Sequence, residues 1–188
     1  MAPTAYERKK QPEVVRQALI DCAARLAMER GLQAVTVQAV AAAAGVTKGG
    51  LFHHFASKEK LIEAVFDAQL DVFGAAVDEA LQRDHGSYGC FTRAYVMATF
   101  KLGEEDEGQC GGALAVSMMT DPLLRPRWSV WMRARMAKHK KTDSAPALEI
   151  VRLAADGAWL ADLTDLAPDL RMSRKKLLAR LIAMTRKD

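Results

Sequence analysis

The chain has 188 residues, half of them hydrophobic, a length able to bury a sizeable core in one large domain or two small ones. Its amino end is polar, no apolar run approaches the roughly 20 residues that span a bilayer, and three scattered cysteines are too few for a disulfide framework, so a cytoplasmic protein without membrane contact is expected. The net charge of +4 lies entirely in residues 1–60, which hold nine basic and five acidic side chains, against eighteen of each in the remainder.

Residues 1–11 carry Arg8, Lys9 and Lys10 without periodicity, and read either as a basic arm following a nucleic-acid backbone or as a plain disordered terminus. A first helix is expected from about Glu13 to Arg30, with Pro12 suited to its start, Gly31 to its end, and Leu19, Cys22 and Leu26 facing inward. The stretch from Thr36 to Leu61 then reads as two short helices joined by a tight turn, with another helix following at once. Val37, Val40, Ala41 and Ala44 fall at helical intervals, and Gly45 is the residue able to end that helix in a left-handed conformation. Val46 fills the corner, Thr47 caps the next helix, and Leu51 and Phe55 hold it inward. That leaves Lys48, Gly49, Gly50 and His53 outward, as insertion into a DNA major groove requires.

These residues resemble the TetR family of transcriptional regulators. The likeness runs through RQALIDCAARLAMERG at Arg16–Gly31, TV at Thr36–Val37, AGVTKG at Ala44–Gly49, LFHHF at Leu51–Phe55 and SK at Ser57–Lys58. It covers the first third of the chain densely, while the rest shows only the expected size and helical character. The resemblance implies an all-α protein: a three-helix helix-turn-helix domain at 1–56, then a helical effector-binding and dimerisation bundle at 57–188. Thr36 and Thr47 stand at helix amino ends, where backbone N–H groups meet phosphate as well as caps. Gln38 matches a family position that reaches a base, and Lys48 is placed to read guanine or to meet only a phosphate. Gly49 and Gly50 permit close backbone approach or are simply tolerated in a helix held by tertiary contacts. Phe52 replaces the family's usual tyrosine, so a hydroxyl–phosphate contact is lost while the ring still suits a thymine methyl. His53 faces outward toward base or phosphate; His54 and Lys58 match family phosphate contacts, although His54 is also suited to packing across the helix junction.

Ser57 caps a long helix running to about Leu81, expected to link the two parts mechanically. A helix at about Cys90–Leu102 follows, then GEEDEGQCGG, whose acids at 104–107 read as a solvated loop. A short helix at Ala113–Thr120 precedes one expected to begin at Asp121–Pro122, or later near Pro126, and to end near Lys141. Seven basic residues and no acid occupy 125–141, read chiefly as a solvated face. By resemblance, a cavity for an apolar or planar effector is expected near Met97, Phe100, Met118, Met119, Trp128, Trp131 and Met132, residues that equally suit core packing. Residues 145–163 have so little polar surface that they should be buried on more than one side. With a last helix at about Ser173–Lys187, they suggest a four-helix homodimer interface involving Val151, Ala155, Ala158, Trp159, Leu177, Leu181 and Ile182.

The expected partners are therefore a double-stranded DNA operator, a small-molecule effector and a second copy of the chain, with no cofactor, resident metal or catalytic residue. A rival reading is a redox- or metal-sensing regulator using Cys90 and Cys110, with His85 and His139 as further candidates, although no CxxC or HxxxH spacing supports it. Enzyme function is disfavoured: no Gly-rich phosphate loop, nucleophile elbow or paired acid motif is present.

Overall fold

The computed structural model describes residues 12–102, 106–170 and 172–186, and every regular element among them is helical, as expected. The contacts divide the chain into two compact units, residues 1–69 and 70–188, with the break inside one continuous helix.

In the first unit, α1 (Pro12–Arg30) buries Leu19, Ile20, Cys22, Ala23 and Ala27 and ends at Gly31, whose φ of 78° is left-handed. A 3-10 turn at Leu32–Ala34 leads to α2 (Val37–Ala43) and α3 (Lys48–His54). These three helices pack on one another through Val40, Ala41 and Leu51, all buried, with Phe55 sealing the corner beneath the Arg16 guanidinium. The following helix, α4 (Lys58–Arg83), gives this unit Leu61, Ala64 and Val65. Ser57 caps it by accepting the Lys60 N–H at 3.3 Å.

The second unit takes the remainder of α4 and adds α5 (Cys90–Lys101), α6 (Asp106–Thr120), α7 (Arg125–Lys138), α8 (Lys140–Asp143), α9 (Pro146–Leu163) and α10 (Arg174–Met184). Helix α5 is its centre, with Phe91, Ala94, Tyr95, Val96, Ala98 and Phe100 all buried. Phe73, Val77 and Ala80 of α4, with Trp128, Trp131, Met132 and Met136 of α7, pack against one part of it. Val151, Ala155 and Ala158 of α9, with Leu181 of α10, cover the other.

Two elements depart from their expected bounds. Helix α6 starts at Asp106 instead of Ala113, so the glycines there do not break it. Gly112 lies against α9: a Cβ at that position would stand 2.9 Å from Leu163 Cδ1, so glycine there serves close helix approach. Glu104 and Glu105, like the basic arm at residues 8–10, lie outside the described residues. Asp121–Pro122 does not open a helix; Asp121 Oδ1 accepts the Leu123 N–H at 2.8 Å in a local turn, and α7 begins at Arg125 with Pro126 in its first turn.

Candidate nucleic-acid interface

The α2–α3 corner is held by backbone geometry that the side chains dictate. Thr36 Oγ1 accepts the Ala39 N–H at 3.1 Å, and Thr47 Oγ1 accepts the Gly50 N–H at 3.0 Å, so both threonines are helix caps. At the end of α2, Val46 N–H donates to Ala41 O at 2.9 Å and Gly45 N–H to Ala42 O at 3.2 Å, the paired bonds of a Schellman motif. The motif requires a left-handed residue, and Gly45 has φ of 68°. The turn is therefore fixed at both ends before any DNA contact is considered.

What the corner presents outward is polar, cationic or small, with one aromatic ring and no acid. Thr36, Gln38, Thr47, Lys48, Gly49, Phe52 and His53 are exposed; Gly50, His54 and Lys58 are half-buried. Phe52 is 42% exposed, with Lys48 Nζ 5.9 Å from its ring centroid, so lysine and ring form one surface unit on α3. His53 and His54 meet edge-on, their centroids 5.4 Å apart, and His54 is turned partly inward. No carboxylate occurs between Glu29 and Glu59 in the sequence. Glu59 stands at the start of α4, where the hydrogen bond from Ser57 holds its carboxyl below the ordinary value. A short capped helix with an acid-free outer face has the chemistry needed to approach a polyanion.

In the second unit the candidate effector residues separate into two groups. Phe100 and Met118 are buried; Met119, Trp128, Trp131 and Met132 are half-buried. Trp128 and Trp131 stack at 5.3 Å, both also meet Phe73, and the Arg135 guanidinium lies 5.2 Å from the Trp131 ring. Met97 is instead 47% exposed. It borders a concave pocket of about 680 Å³ lined also by Ala80, His85, Tyr88, Arg93 and Ile182. The aromatic cluster is packed around Phe73, and this pocket is a separate feature beside Arg93.

The residues expected at a dimer interface are also placed differently from one another. Val151, Ala155, Ala158 and Leu181 are buried within the chain itself, Trp159, Leu177 and Ile182 half-buried. The first four are thus turned toward α5 and its neighbours within the chain itself. The opposite face of α9 is the exposed apolar one: Ile150 at 60%, Leu153 at 63% and Leu160, with Ala154 and Gly157 between them. Both faces of α9 are apolar in sequence, so periodicity alone did not say which one the protomer covers itself.

The sequence reading missed a buried polar framework. Asp143, at the end of α8, is fully buried and accepts hydrogen bonds from Thr92 N–H and Thr92 Oγ1, both at 2.7 Å, and from Phe91 N–H at 3.3 Å. It caps α5 from 51 residues away, because the helix's own preceding residue is Gly89, which has no side chain to do so. Arg152 donates to Thr92 Oγ1 at 2.7 Å, and Tyr95 donates to Asp156 at 2.6 Å. Burial pushes the Asp156 carboxyl up and, with Asp156 beside it, the Tyr95 hydroxyl well up. Arg93 binds Asp84 at 2.6 Å and also donates to Tyr88 O, Gly86 O and Thr185 O. No local spacing marks a cap supplied from such a distance.

Comparison with known proteins agrees with the two units. Residues 19–65 match the family described as bacterial regulatory proteins, tetR family, and residues 89–186 match the tetracyclin repressor-like C-terminal domain. The chain is 48% identical over 60 residues to the HTH-type transcriptional repressor KstR2 of Rhodococcus jostii, covering 31% of this chain and 29% of that protein. Over 75 residues it is 43% identical to KstR2 of Mycolicibacterium smegmatis, covering 39% of this chain and 35% of that one. The matches thus span only about a third of these relatives. Over nearly the full length, the multidrug binding protein EbrR in complex with malachite green has a similar fold, with a TM-score of 0.73, 20% identity, and coverage of 92% of this chain and 98% of that one.

Proposed function

The chain belongs to the TetR family, and from that premise we propose that it is a DNA-binding transcriptional regulator, a homodimeric repressor released from a near-palindromic operator by a small apolar or planar ligand. The single observation that carries the DNA half is the α2–α3 corner, doubly capped and closed at Gly45, with Lys48, Gly49, Phe52 and His53 exposed on an acid-free face. In this reading Gln38 and Lys48 meet base edges, while Thr36, Thr47, His53, His54 and Lys58 meet phosphates. Gly49 and Gly50 let the backbone approach, and Phe52 touches a thymine methyl.

The ligand half is supported by the half-buried Trp128, Trp131 and Met132 beside Phe73, aromatic faces and an adaptable side chain against which a planar molecule can stack. Bound ligand favours a conformer in which the reading helices of the two subunits no longer match their half-sites. The second copy is proposed to cover Ile150, Leu153, Ala154, Gly157 and Leu160, whose exposure leaves α9 with an uncovered apolar face.

The test is fluorescence-anisotropy binding to the DNA upstream of the chain's own gene, repeated at several salt concentrations. Tight, sequence-dependent binding with two subunits per site is expected. Binding equal on random DNA, across that region and across a library of randomised sites, would overturn the operator reading.

A further inference from the structure

The start of α5 and the α7–α8 corner bring together three side chains that sequence spacing keeps far apart. Cys90 Sγ lies 3.9 Å from His139 Nδ1 and 3.8 Å from Asp143 Oδ2, and one ligand atom from each of the three residues falls within 4.8 Å of the others. We propose that Cys90, His139 and Asp143 form a zinc(II) site.

Zinc bonds of about 2.0–2.3 Å in tetrahedral array set ligand atoms about 3.3–3.6 Å apart. The two distances to Cys90 Sγ are within a few tenths of an ångström of that span, and the third pair, His139 with Asp143, lies within 4.8 Å, so binding draws the histidine and carboxylate together. Thiolate, imidazole and carboxylate together favour zinc over the hard cations magnesium and calcium. Asp143 is already held by Thr92 and by Thr142 Oγ1 at 2.8 Å, the outer support that orients a ligating carboxylate. Oδ1 carries both bonds from Thr92, whereas Oδ2, the oxygen facing Cys90, accepts from Thr142, from Phe91 N–H over a long 3.3 Å and weakly from the Cys90 thiol.

The imidazole supplies the second observation. His139 stacks on Phe91 at 5.2 Å, its Nε2 is buried without a hydrogen-bond partner, and its Nδ1 has only the weak sulfur contact. The ring is half-buried, and Nδ1, the nitrogen that faces Cys90, has no normal hydrogen bond for a metal to displace. Capping of α5 accounts for Asp143 but leaves the placement of Cys90 and His139 unexplained. Three protein ligands leave a fourth position for water or a small ligand, the form of a site that exchanges its occupant. The site joins α5 to α8 and stands whether or not the proposed DNA reading does.

The test uses the full chain, stripped with a chelator and titrated with cobalt(II), then with zinc(II). Expected are one cobalt per chain, a thiolate charge-transfer band, visible bands of tetrahedral cobalt, and loss of all of these as zinc displaces it. Cys90→Ser should abolish the charge-transfer band and His139→Gln should weaken binding by more than about a hundredfold, beyond the roughly 10–100-fold typical of losing an outer-shell partner. Cys22→Ser and Cys110→Ser should leave both signals intact. Circular dichroism checks that each variant keeps its helices. Absence of a charge-transfer band in the unmodified chain would overturn the proposal, and so would a band that follows Cys110 or binding indifferent to His139→Gln.

Discussion

Two glycines with nearly the same backbone angle sit in different surroundings. Gly45 (φ 68°) and Gly89 (φ 69°) are both left-handed, yet a Cβ on Gly45 meets nothing within 4 Å while one on Gly89 would stand 2.6 Å from Thr185 O. Gly45→Ala is therefore expected to cost only the conformational penalty, about 1–2 kcal/mol, and Gly89→Ala distinctly more, because backbone must move. Thermal unfolding of both variants measures this, and equal losses would count against the tight packing at Gly89. For DNA, Lys58→Ala should weaken binding to all sequences and lower the salt slope by about one. Gln38→Ala should instead change preference at one base pair, and an unchanged salt slope in the Lys58 variant would remove that residue from the phosphate contacts. The caps Thr36, Thr47 and Ser57 and the terminator Gly45 were legible in the sequence because each acts on backbone within a few residues. Asp143 was not, since its partners lie half a hundred residues away.

At the scale of elements, α9 shows the same limit. Its apolar character was readable, but the choice between the face of Val151 and Ala155 and the face of Leu153 and Gly157 depends on where α5 lies. Helix bounds failed where glycine served packing, at Gly112, and where Asp121 closed a turn. Ion pairs fasten these elements, and they respond to acid. Burial would raise the Asp84 carboxyl, but the Arg93 hydrogen bonds, the Gly86 N–H and the charges of Arg93 and Arg186 together outweigh it and hold it below its ordinary value of 3.8. A group depressed on folding stabilises fully above its unfolded value and loses that contribution as pH falls through the folded one. The stability difference between the unmodified chain and Asp84→Asn should therefore be constant near neutrality and narrow below about pH 4, as followed by denaturant unfolding. Asp156, raised by burial, acts in the opposite sense, so only the difference between the two chains isolates Asp84. A gap that does not narrow would mean that Arg93 gains nothing from the charge.

For the whole molecule, the uncovered face of α9 makes subunit association the prediction. Leu153→Asp places a charge at the centre of that face and should shift the protein from dimer to monomer in sedimentation at micromolar concentration, with operator affinity falling in parallel. The buried Val151→Ala, which removes two carbons, should instead lower stability by about 1–3 kcal/mol through loss of packing while leaving the association state unchanged. A dimer that survives Leu153→Asp would place the interface elsewhere.

The distant cap on α5 also bears on how the chain is made. Arg93 reaches Thr185 O across 92 residues, and Asp143 reaches Thr92 across 51. At synthesis rates of about 5–20 residues per second, the central helix leaves the ribosome roughly 5–20 s before its last partner is made. Through the first part of that interval only Phe73, Val77 and Ala80 of α4 are there to cover it, and the side that Val151, Ala155 and Leu181 later cover stays open. The nascent C-terminal half is thus a natural client for a holding chaperone, and translation stalled just short of Thr185 would release a chain whose buried Arg93 lacks the carbonyl that it meets in the finished fold.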